Sequence, residues 1–158
     1  MPFWIDTSTK LKLAIVPRPR GEDWLEDVIE QLKREGVDIL VSLLTPEESE
    51  ELGLEGEAAA CNAAGIDFRN FPIPDRQTPE SVREFLSFAR SLYEEARTGR
   101  SIGAHCRGCI GRSSVLLATI MRLDGFSAEE AFERISRARG TNVPDTEEQA
   151  KWVARLPL

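Results

Sequence analysis

Short apolar runs alternate with longer amphipathic stretches along this chain, and this alternation strongly limits the folds it can adopt. Residues 37–44 are almost continuously apolar, which is typical of a central strand in a parallel sheet covered on both faces. Strands are also predicted at residues 11–16, 66–73 and 100–105, each followed by a helical pattern. We therefore expect an α/β fold with a central, mostly parallel sheet of about four to five strands and helices on both faces.

The predicted helices share an apolar face or a largely apolar composition. They cover residues 23–34, 57–64, 79–97, 113–123, 128–139 and 146–156, with a short helix opened by Thr45 and Pro46. Trp24 is expected on the buried face of the first helix. The glutamates between residues 47 and 57 are interpreted as a solvated acidic face.

A chain of 158 residues can bury a core of its own, and residues 1–158 are expected to form a single domain. Its net charge of −7 disfavours nucleic acid and anionic membranes as partners. No apolar run approaches ~18 residues, so no membrane span is expected. The first residues lack the pattern of a signal peptide and the chain has three cysteines, so a cytoplasmic location is expected. The sequence does not decide the oligomeric state, and a monomer is expected.

The residues that carry chemistry lie in 105–113, His-Cys-Arg-Gly-Cys-Ile-Gly-Arg-Ser. Cys106 follows a predicted strand, and a predicted helix begins at Ser113. Free N–H groups and the positive dipole end of a helix attract anions. Gly108 and Gly111 are expected to allow the φ values that turn loop N–H groups inward, and Arg112 offers a planar fork for two phosphate oxygens. The pattern predicts a phosphate cradle with a thiol at its base.

A thiol in such a positive field is expected to ionise easily and to act as a nucleophile. Cys106 would attack phosphorus in line and form a phosphocysteine, and Ser113 would donate a hydrogen bond to the departing sulfur. The alternative is a glycine-rich turn with an incidental buried cysteine. The strand and helix on either side favour the nucleophile, because they are the context that such a loop requires.

Residues 105–113 resemble the phosphate-binding loop of cysteine-dependent protein tyrosine phosphatases, His-Cys-x5-Arg-Ser. The compact chain is similar to the dual-specificity branch, near the kinase-associated phosphatases. The resemblance implies a phosphomonoester hydrolase acting on phosphotyrosine in proteins, with phosphoserine and phosphothreonine also open. It further implies that His105 hydrogen-bonds the loop and orients the cysteine. The phosphate-binding residues would be Arg107, Gly108, Cys109, Ile110, Gly111 and Arg112.

Neither a metal nor another cofactor is expected. The chain has one histidine and three scattered cysteines, which offer no spacing for a zinc site. Cys61 lies in an alanine-rich helical stretch and is interpreted as a core residue.

Cleavage of a phosphate ester also needs a proton for the leaving oxygen, and Asp75 is the candidate donor. It lies 31 residues before Cys106, in a loop between a predicted strand and a predicted helix. In the resembling family a general acid occupies a mobile loop at a comparable distance. The alternatives are a plain Pro-Asp turn or helix start, and Asp67 as the acid, although Asp67 lies in a strand pattern.

Weaker candidates lie in two other segments. Gln149 resembles a glutamine that positions the hydrolytic water in tyrosine phosphatases, and Asp145 is an alternative for that role. A helix start capped by Asp145 or Thr146 is the preferred interpretation of this segment. Arg18 and Arg20 follow the first predicted strand and would either contact the substrate or form a solvated basic loop.

Three rival functions remain open. Cys106 and Cys109 form a Cys-x-x-Cys pair, which would suit a regulatory disulfide or a thiol oxidoreductase, although Cys109 is better explained as a small loop residue. A phosphoinositide or a nucleotide would be cleaved by the same chemistry, but Arg107 is the one basic residue inside the loop, which disfavours a lipid. A phosphate-binding module without catalysis would have lost a catalytic residue, and none is lost.

Overall fold

A five-stranded sheet organises the chain, and a computed structural model describes residues 1–108 and 110–158. The strands lie in the order β1-β2-β5-β3-β4, with β1 antiparallel to β2 and the other neighbours parallel. This mixed α/β sheet confirms the predicted fold class. The strand bounds are Phe3–Trp4 for β1, Leu13–Ile15 for β2, Ile39–Ser42 for β3, Asp67–Asn70 for β4 and Ile102–His105 for β5.

Helices cover both faces of the sheet. Their bounds are Leu25–Arg34 for α1, Pro46–Glu51 for α2, Glu57–Ala64 for α3, Val82–Arg97 for α4, Arg112–Leu123 for α5, Ala128–Arg139 for α6 and Glu147–Ala154 for α7. One apolar cluster lies between the sheet and α1 and α3, and a larger one is formed with α4, α5, α6 and α7. Within the described residues, no helix has the length and apolar character needed to cross a membrane.

Local sequence signals set several helix ends. Thr45 and Glu48 form a reciprocal capping box at the start of α2, with Pro46 in its first turn. Ser81 caps α4 by accepting a hydrogen bond from the Glu84 N–H, so this helix begins at Val82, later than the predicted position.

Two local predictions were wrong. The strand β1 was not predicted, because two residues are too few to show periodicity. Trp24 is 54% exposed, because the segment Glu22–Trp24 forms a 3₁₀ turn before α1 and turns the indole away from the core.

The parallel strands place their carboxyl ends at one edge of the sheet. The chain leaves β3 toward α2, β4 toward the Asp75 loop, and β5 toward Cys106. In open α/β sheets this edge is where ligands bind.

Candidate active site

Cys106 follows β5 directly, and its side chain is buried together with that of Ser113. The Ser113 hydroxyl donates a hydrogen bond to the Cys106 Sγ at 2.9 Å. Ser113 lies in the first turn of α5, where backbone N–H groups have no partner within the helix. The thiol and the helix N-terminus thus face the same small region.

Arg112 is 1% exposed, and its guanidinium contacts both α2 and the Asp75 loop. It makes a bidentate ion pair with Glu48, from Nη1 to Oε1 at 2.7 Å and from Nη2 to Oε2 at 2.9 Å. Nη1 also donates to the Ile73 carbonyl at 2.7 Å. A two-point ion pair fixes the plane of the fork, so α2 holds Arg112 in one orientation.

The ion pair determines the charge state of both partners. Burial alone would raise the pKa of Glu48, but the hydrogen bond and the charge of Arg112, with hydrogen bonds from Thr45, lower it to about 2. Burial alone would lower the pKa of Arg112, but Glu48, Cys106 and Asp75 together raise it. Glu48 therefore stays a carboxylate and Arg112 a cation across the neutral pH range.

Asp75 lies within contact distance of Arg112. Its Oδ1 accepts from the Arg112 Nη2 at 3.0 Å, and its side chain is 49% exposed. The loop turns tightly here, with the Gln77 N–H donating to the Pro74 carbonyl, and Arg76 has a φ of 63°. A left-handed φ is strained for arginine, so surrounding contacts must hold this turn.

Gln149 supplies one such contact. Its side-chain carbonyl accepts from the N–H groups of Asp145 and Thr146, and its amide donates to the Gln77 carbonyl at 3.1 Å. The residue that caps α7 is Thr146. Gln149 is fully buried and links the start of α7 to the Asp75 loop.

Gly111 packs against the same segment. A Cβ at Gly111 would lie 2.4 Å from the Asp145 Oδ2 and 3.0 Å from the Gln149 Nε2. Gly108 and Gly111 were predicted to allow the φ values that turn loop N–H groups inward, and neither has a positive φ. Gly111 has no side chain and so lets the start of α5 lie close to Asp145 and Gln149, whereas a Cβ at Gly108 would meet nothing within 4 Å.

His105 points into the opposite side of the sheet. Its Nε2 lies 2.5 Å from the Glu57 Oε2, and its Nδ1 lies 3.5 Å from the Cys106 carbonyl. His105 and Glu57 are 0% and 2% exposed. The histidine therefore joins α3 to the residue that carries the thiol.

Basic residues line the rim of the site. Arg107 is half-exposed and pairs with Glu51 at 3.4 Å and Glu48 at 3.7 Å, and its carbonyl accepts from Arg18 at 3.4 Å. Arg20 lies on the exposed ring of Trp24, 4.3 Å from the ring centre. Arg18 is thus placed against the loop, whereas the described contact of Arg20 is with Trp24.

The other residues considered in the sequence make contacts other than those described above, or lie outside the described residues. Asp67 pairs with Arg69 at 2.9 Å and also with Arg100. Cys61 is buried, and burial followed by the charge of Glu57 raises its pKa to about 12, so it is an unreactive core thiol. Ile110 packs against the larger apolar cluster. Cys109, with the Cys-x-x-Cys interpretation, lies outside the described residues.

Two site residues were missed in the sequence. The glutamates of 47–57 were predicted to be solvated, but Glu48 and Glu57 are buried against Arg112 and His105. Thr45-x-x-Glu48 is a visible capping box, but that pattern does not indicate a second partner 64 residues away. No local signal marks Glu57.

Comparison with protein families gives one match by sequence. Residues 16–125 match a family model described as polymorphic toxin system, DSP-PTPase phosphatase. The matched segment includes Asp75 and the whole of the Cys106 loop. No curated protein matches the chain significantly.

Solved structures resemble the fold along almost its whole length. Kinase associated phosphatase, with its catalytic cysteine changed to serine, aligns with a TM-score of 0.83 at 21% identity, covering 97% of this chain and 91% of that one. Tk-PTP in its active form aligns with a TM-score of 0.75 at 26% identity, covering 98% and 96%. PTPMT1 in complex with PI(5)P aligns with a TM-score of 0.74 at 15% identity, covering 98% and 94%.

Proposed function

Since this chain belongs to the DSP-PTPase phosphatase family described for polymorphic toxin systems, we propose that it cleaves phosphate monoesters of proteins through Cys106. The chain is a phosphoric monoester hydrolase of the protein-tyrosine/dual-specificity phosphatase type. One observation carries the proposal: two contacts lie at the same edge of the sheet. They are the hydrogen bond from Ser113 to Cys106 and the ion pair between Arg112 and Asp75. Residues 1–158 act as one phosphatase domain in this proposal.

In the first step the Cys106 thiolate attacks phosphorus. The S–P bond forms while the bond from phosphorus to the leaving oxygen breaks, and the Asp75 carboxyl gives its proton to that oxygen. Arg112 and the first N–H groups of α5 bind the remaining phosphate oxygens, whose charge is spread in the transition state. Arg107, Gly108, Ile110 and Gly111 form the rest of the cradle in this proposal, and the predicted part of Cys109 in it stays a prediction.

In the second step water attacks the phosphocysteine. Asp75, now a carboxylate, takes a proton from the water as the new P–O bond forms and the S–P bond breaks. The Ser113 hydroxyl stabilises the departing sulfur as a thiolate through the bond it already makes at 2.9 Å. Inorganic phosphate then leaves, and the thiolate is ready for another turnover.

Phosphate binding must displace Asp75 from Arg112. An Nη2 group has two N–H bonds, and in this structure they are directed to Glu48 and to Asp75. A phosphate oxygen bound at Nη2 would take the place of the Asp75 carboxylate. Asp75 leaves the cation at that moment and becomes free to turn toward the leaving oxygen.

Gln149 positions the Asp75 loop rather than the hydrolytic water in this proposal. One N–H of its side-chain amide donates to the Gln77 carbonyl, and its side-chain carbonyl accepts from the Asp145 and Thr146 N–H groups at the start of α7. Asp145, exposed and close to Gly111, is the better candidate for a second role with water.

Phosphotyrosine in a protein is the proposed substrate, with phosphoserine and phosphothreonine also accepted. Arg18 at the rim would contact acidic residues beside the phosphorylated side chain. The alternative is a phosphoinositide or nucleotide phosphate, and PTPMT1 has been solved with PI(5)P. The pairing of Arg107 with Glu48 and Glu51 disfavours a polyanionic lipid headgroup, because these carboxylates offset its charge. A cytoplasmic location fits a catalyst that depends on a free thiol.

The test is hydrolysis of para-nitrophenyl phosphate by wild type, Cys106→Ser and Cys61→Ser, with reductant and EDTA present. We expect metal-free turnover in wild type and Cys61→Ser, and none in Cys106→Ser. Turnover by Cys106→Ser would refute the mechanism. Reduction of insulin disulfides without phosphatase activity would instead indicate a thiol oxidoreductase.

The substrate class is tested by comparing the rates at which the enzyme cleaves different phosphate esters. Phosphotyrosine peptides with and without flanking acidic residues, a phosphoserine peptide, a phosphoinositide and a nucleotide are compared by kcat/KM. The proposal expects the acidic phosphotyrosine peptide to be preferred, and a loss of that preference in Arg18→Gln. A higher kcat/KM for the phosphoinositide would favour the alternative.

A further inference from the structure

A buried acid–base pair lies beneath the nucleophile, on the face of the sheet that α5 does not cover. His105 and Glu57 meet there at 2.5 Å, in a layer otherwise made of aliphatic side chains from α1, α3 and β3. Both side chains are at least nine-tenths buried. The mechanism above uses neither of them.

A buried pair of this kind contributes little to the free energy of folding. Taking a carboxylate and an imidazole out of water costs free energy that their attraction only partly returns, and aliphatic residues of similar volume are often as stable. The surrounding residues, including Leu44, Leu54 and Cys61, show that this layer can be built from apolar side chains. The position of the pair therefore needs an explanation other than packing.

The pair is connected to the nucleophile through one residue. Glu57 is in the first turn of α3, where the positive end of the helix dipole stabilises a carboxylate. It holds the Nε2 of His105, and the Nδ1 of the same ring faces the Cys106 carbonyl at 3.5 Å. A carboxylate on Nε2 fixes that nitrogen as a donor and sets the tilt of the ring.

We propose that Glu57 is a positioning residue that keeps His105 protonated on Nε2, and that it acts through His105 on the backbone and the reactivity of Cys106. The inference rests on the proposed role of Cys106 as nucleophile. The ring is held by Glu57 on one side and lies against the Cys106 carbonyl on the other, so its tilt sets the backbone that places the sulfur at the start of α5.

Other ionisable groups near the pair do not compete for this role. Cys61, also on α3, is a neutral thiol, since burial and the charge of Glu57 raise its pKa to about 12. Arg112 interacts with Cys106 from α5, and its charge is matched by Glu48. Among the described residues, the His105 imidazole is therefore the group that Glu57 holds in place.

The single histidine allows a direct measurement. In protein labelled with an NMR-active nitrogen isotope, a long-range proton–nitrogen spectrum reports one imidazole, and we expect a proton on Nε2 throughout about pH 5 to 8. An imidazole protonated on Nδ1 alone would overturn the proposal. This measurement needs no variant.

The second measurement is alkylation of Cys106 by iodoacetate as a function of pH, alongside kcat and KM. In Glu57→Gln the ring loses the carboxylate that orients it, so kcat at neutral pH should fall by about tenfold and the midpoint of alkylation should move up by about one pH unit. KM should change little, because the cradle is intact.

Ser101→Ala is the matched control. Ser101 is buried at the other end of β5, where its hydroxyl bonds the Asp38 N–H and the Gly36 carbonyl. It should lower thermal stability without moving the alkylation midpoint. If Glu57→Gln behaves like Ser101→Ala, Glu57 is structural and the inference fails. If wild type shows no Cys106-dependent turnover, the proposed function fails instead.

Discussion

At the scale of single residues, the contact between Asp75 and Arg112 governs both steps of the proposed reaction. The same carboxyl must leave the guanidinium when phosphate binds and give its proton to the leaving oxygen. The first role affects phosphate binding and the second affects cleavage of the ester, so the two can be measured separately.

Asp75→Ala should slow poor leaving groups most. Without a general acid, kcat for phenyl phosphate should fall by roughly 10²–10⁴, and kcat for para-nitrophenyl phosphate should fall much less because its leaving group needs little protonation. Inorganic phosphate should inhibit this variant at lower concentration than wild type, because the Arg112 Nη2 has lost its competing carboxylate. Steady-state kinetics with a series of aryl phosphates measures both effects.

Asp67→Ala is the control for that experiment. Asp67 pairs with Arg69 and Arg100, so its removal should leave the dependence on the leaving group as in wild type. Equal slowing of all substrates by Asp75→Ala would show that Asp75 is not the acid.

At the scale of elements, the start of α7 braces two loops at once. Gly111 at the N-terminus of α5 lies against Asp145, and Gln149 holds the Asp75 loop through the Gln77 carbonyl. Displacement of α7 would therefore disturb the phosphate cradle and the acid loop together.

Gly111→Ala should separate α5 from α7. A Cβ placed 2.4 Å from the Asp145 Oδ2 would push this exposed carboxylate aside, and at 3.0 Å from the Nε2 of the buried Gln149 it would crowd a fixed amide, which should cost about 1 kcal/mol of stability. Urea unfolding should show this loss, and Asp145→Ala in the same chain should restore part of it. Gly108→Ala, with open space around the new Cβ, should change the unfolding free energy far less. Equal losses in the two alanine variants would contradict the contact.

Gln149→Ala should lower both stability and kcat. It removes half of the capping box of α7, worth about 1 kcal/mol, and it also releases the Asp75 loop. Thr146→Ala breaks the same cap but keeps the bond to Gln77. We expect similar melting temperatures for the two variants and a lower kcat in Gln149→Ala. A matching kcat would mean that the tether has no catalytic effect.

The elements differ in how far the sequence predicts them. The apolar run that contains β3 and the caps at Thr45 and Thr146 are local signals, so the alternating α/β order could be predicted. The roles of Glu48 and Glu57 depend on partners 64 and 48 residues away. The residues next to Glu48 and Glu57 in the sequence do not indicate those contacts. A run of glutamates normally indicates a solvated surface, so both residues were predicted to be exposed.

At the scale of the whole molecule, the ion pair of Glu48 with Arg112 links the site to global stability. The pKa of Glu48 is about 2 in the fold, below the ordinary 4.5, so the pair stabilises the protein fully above about pH 4.5 and is lost as the pH falls toward 2. That difference corresponds to at most about 3 kcal/mol.

Glu48→Gln should therefore be less stable than wild type at pH 7, and its unfolding free energy should fall less steeply between about pH 4.5 and 2. Glu51→Gln changes the same formal charge on the exposed side of α2 and should retain the wild-type slope. Urea unfolding at a series of pH values measures both. Parallel curves for wild type and Glu48→Gln would contradict the assigned pair.

The central claim is that Cys106 carries the phosphoryl group during turnover, and the most direct measurement is to trap it there. Wild type hydrolysing para-nitrophenyl phosphate is quenched with denaturant at alkaline pH, where the S–P bond is stable, then digested at that pH and examined by mass spectrometry. The account predicts one phosphoryl group on the peptide that contains Cys106, and none on that peptide from Cys106→Ser. Turnover with an unmodified Cys106, or with phosphate on another residue, would contradict it.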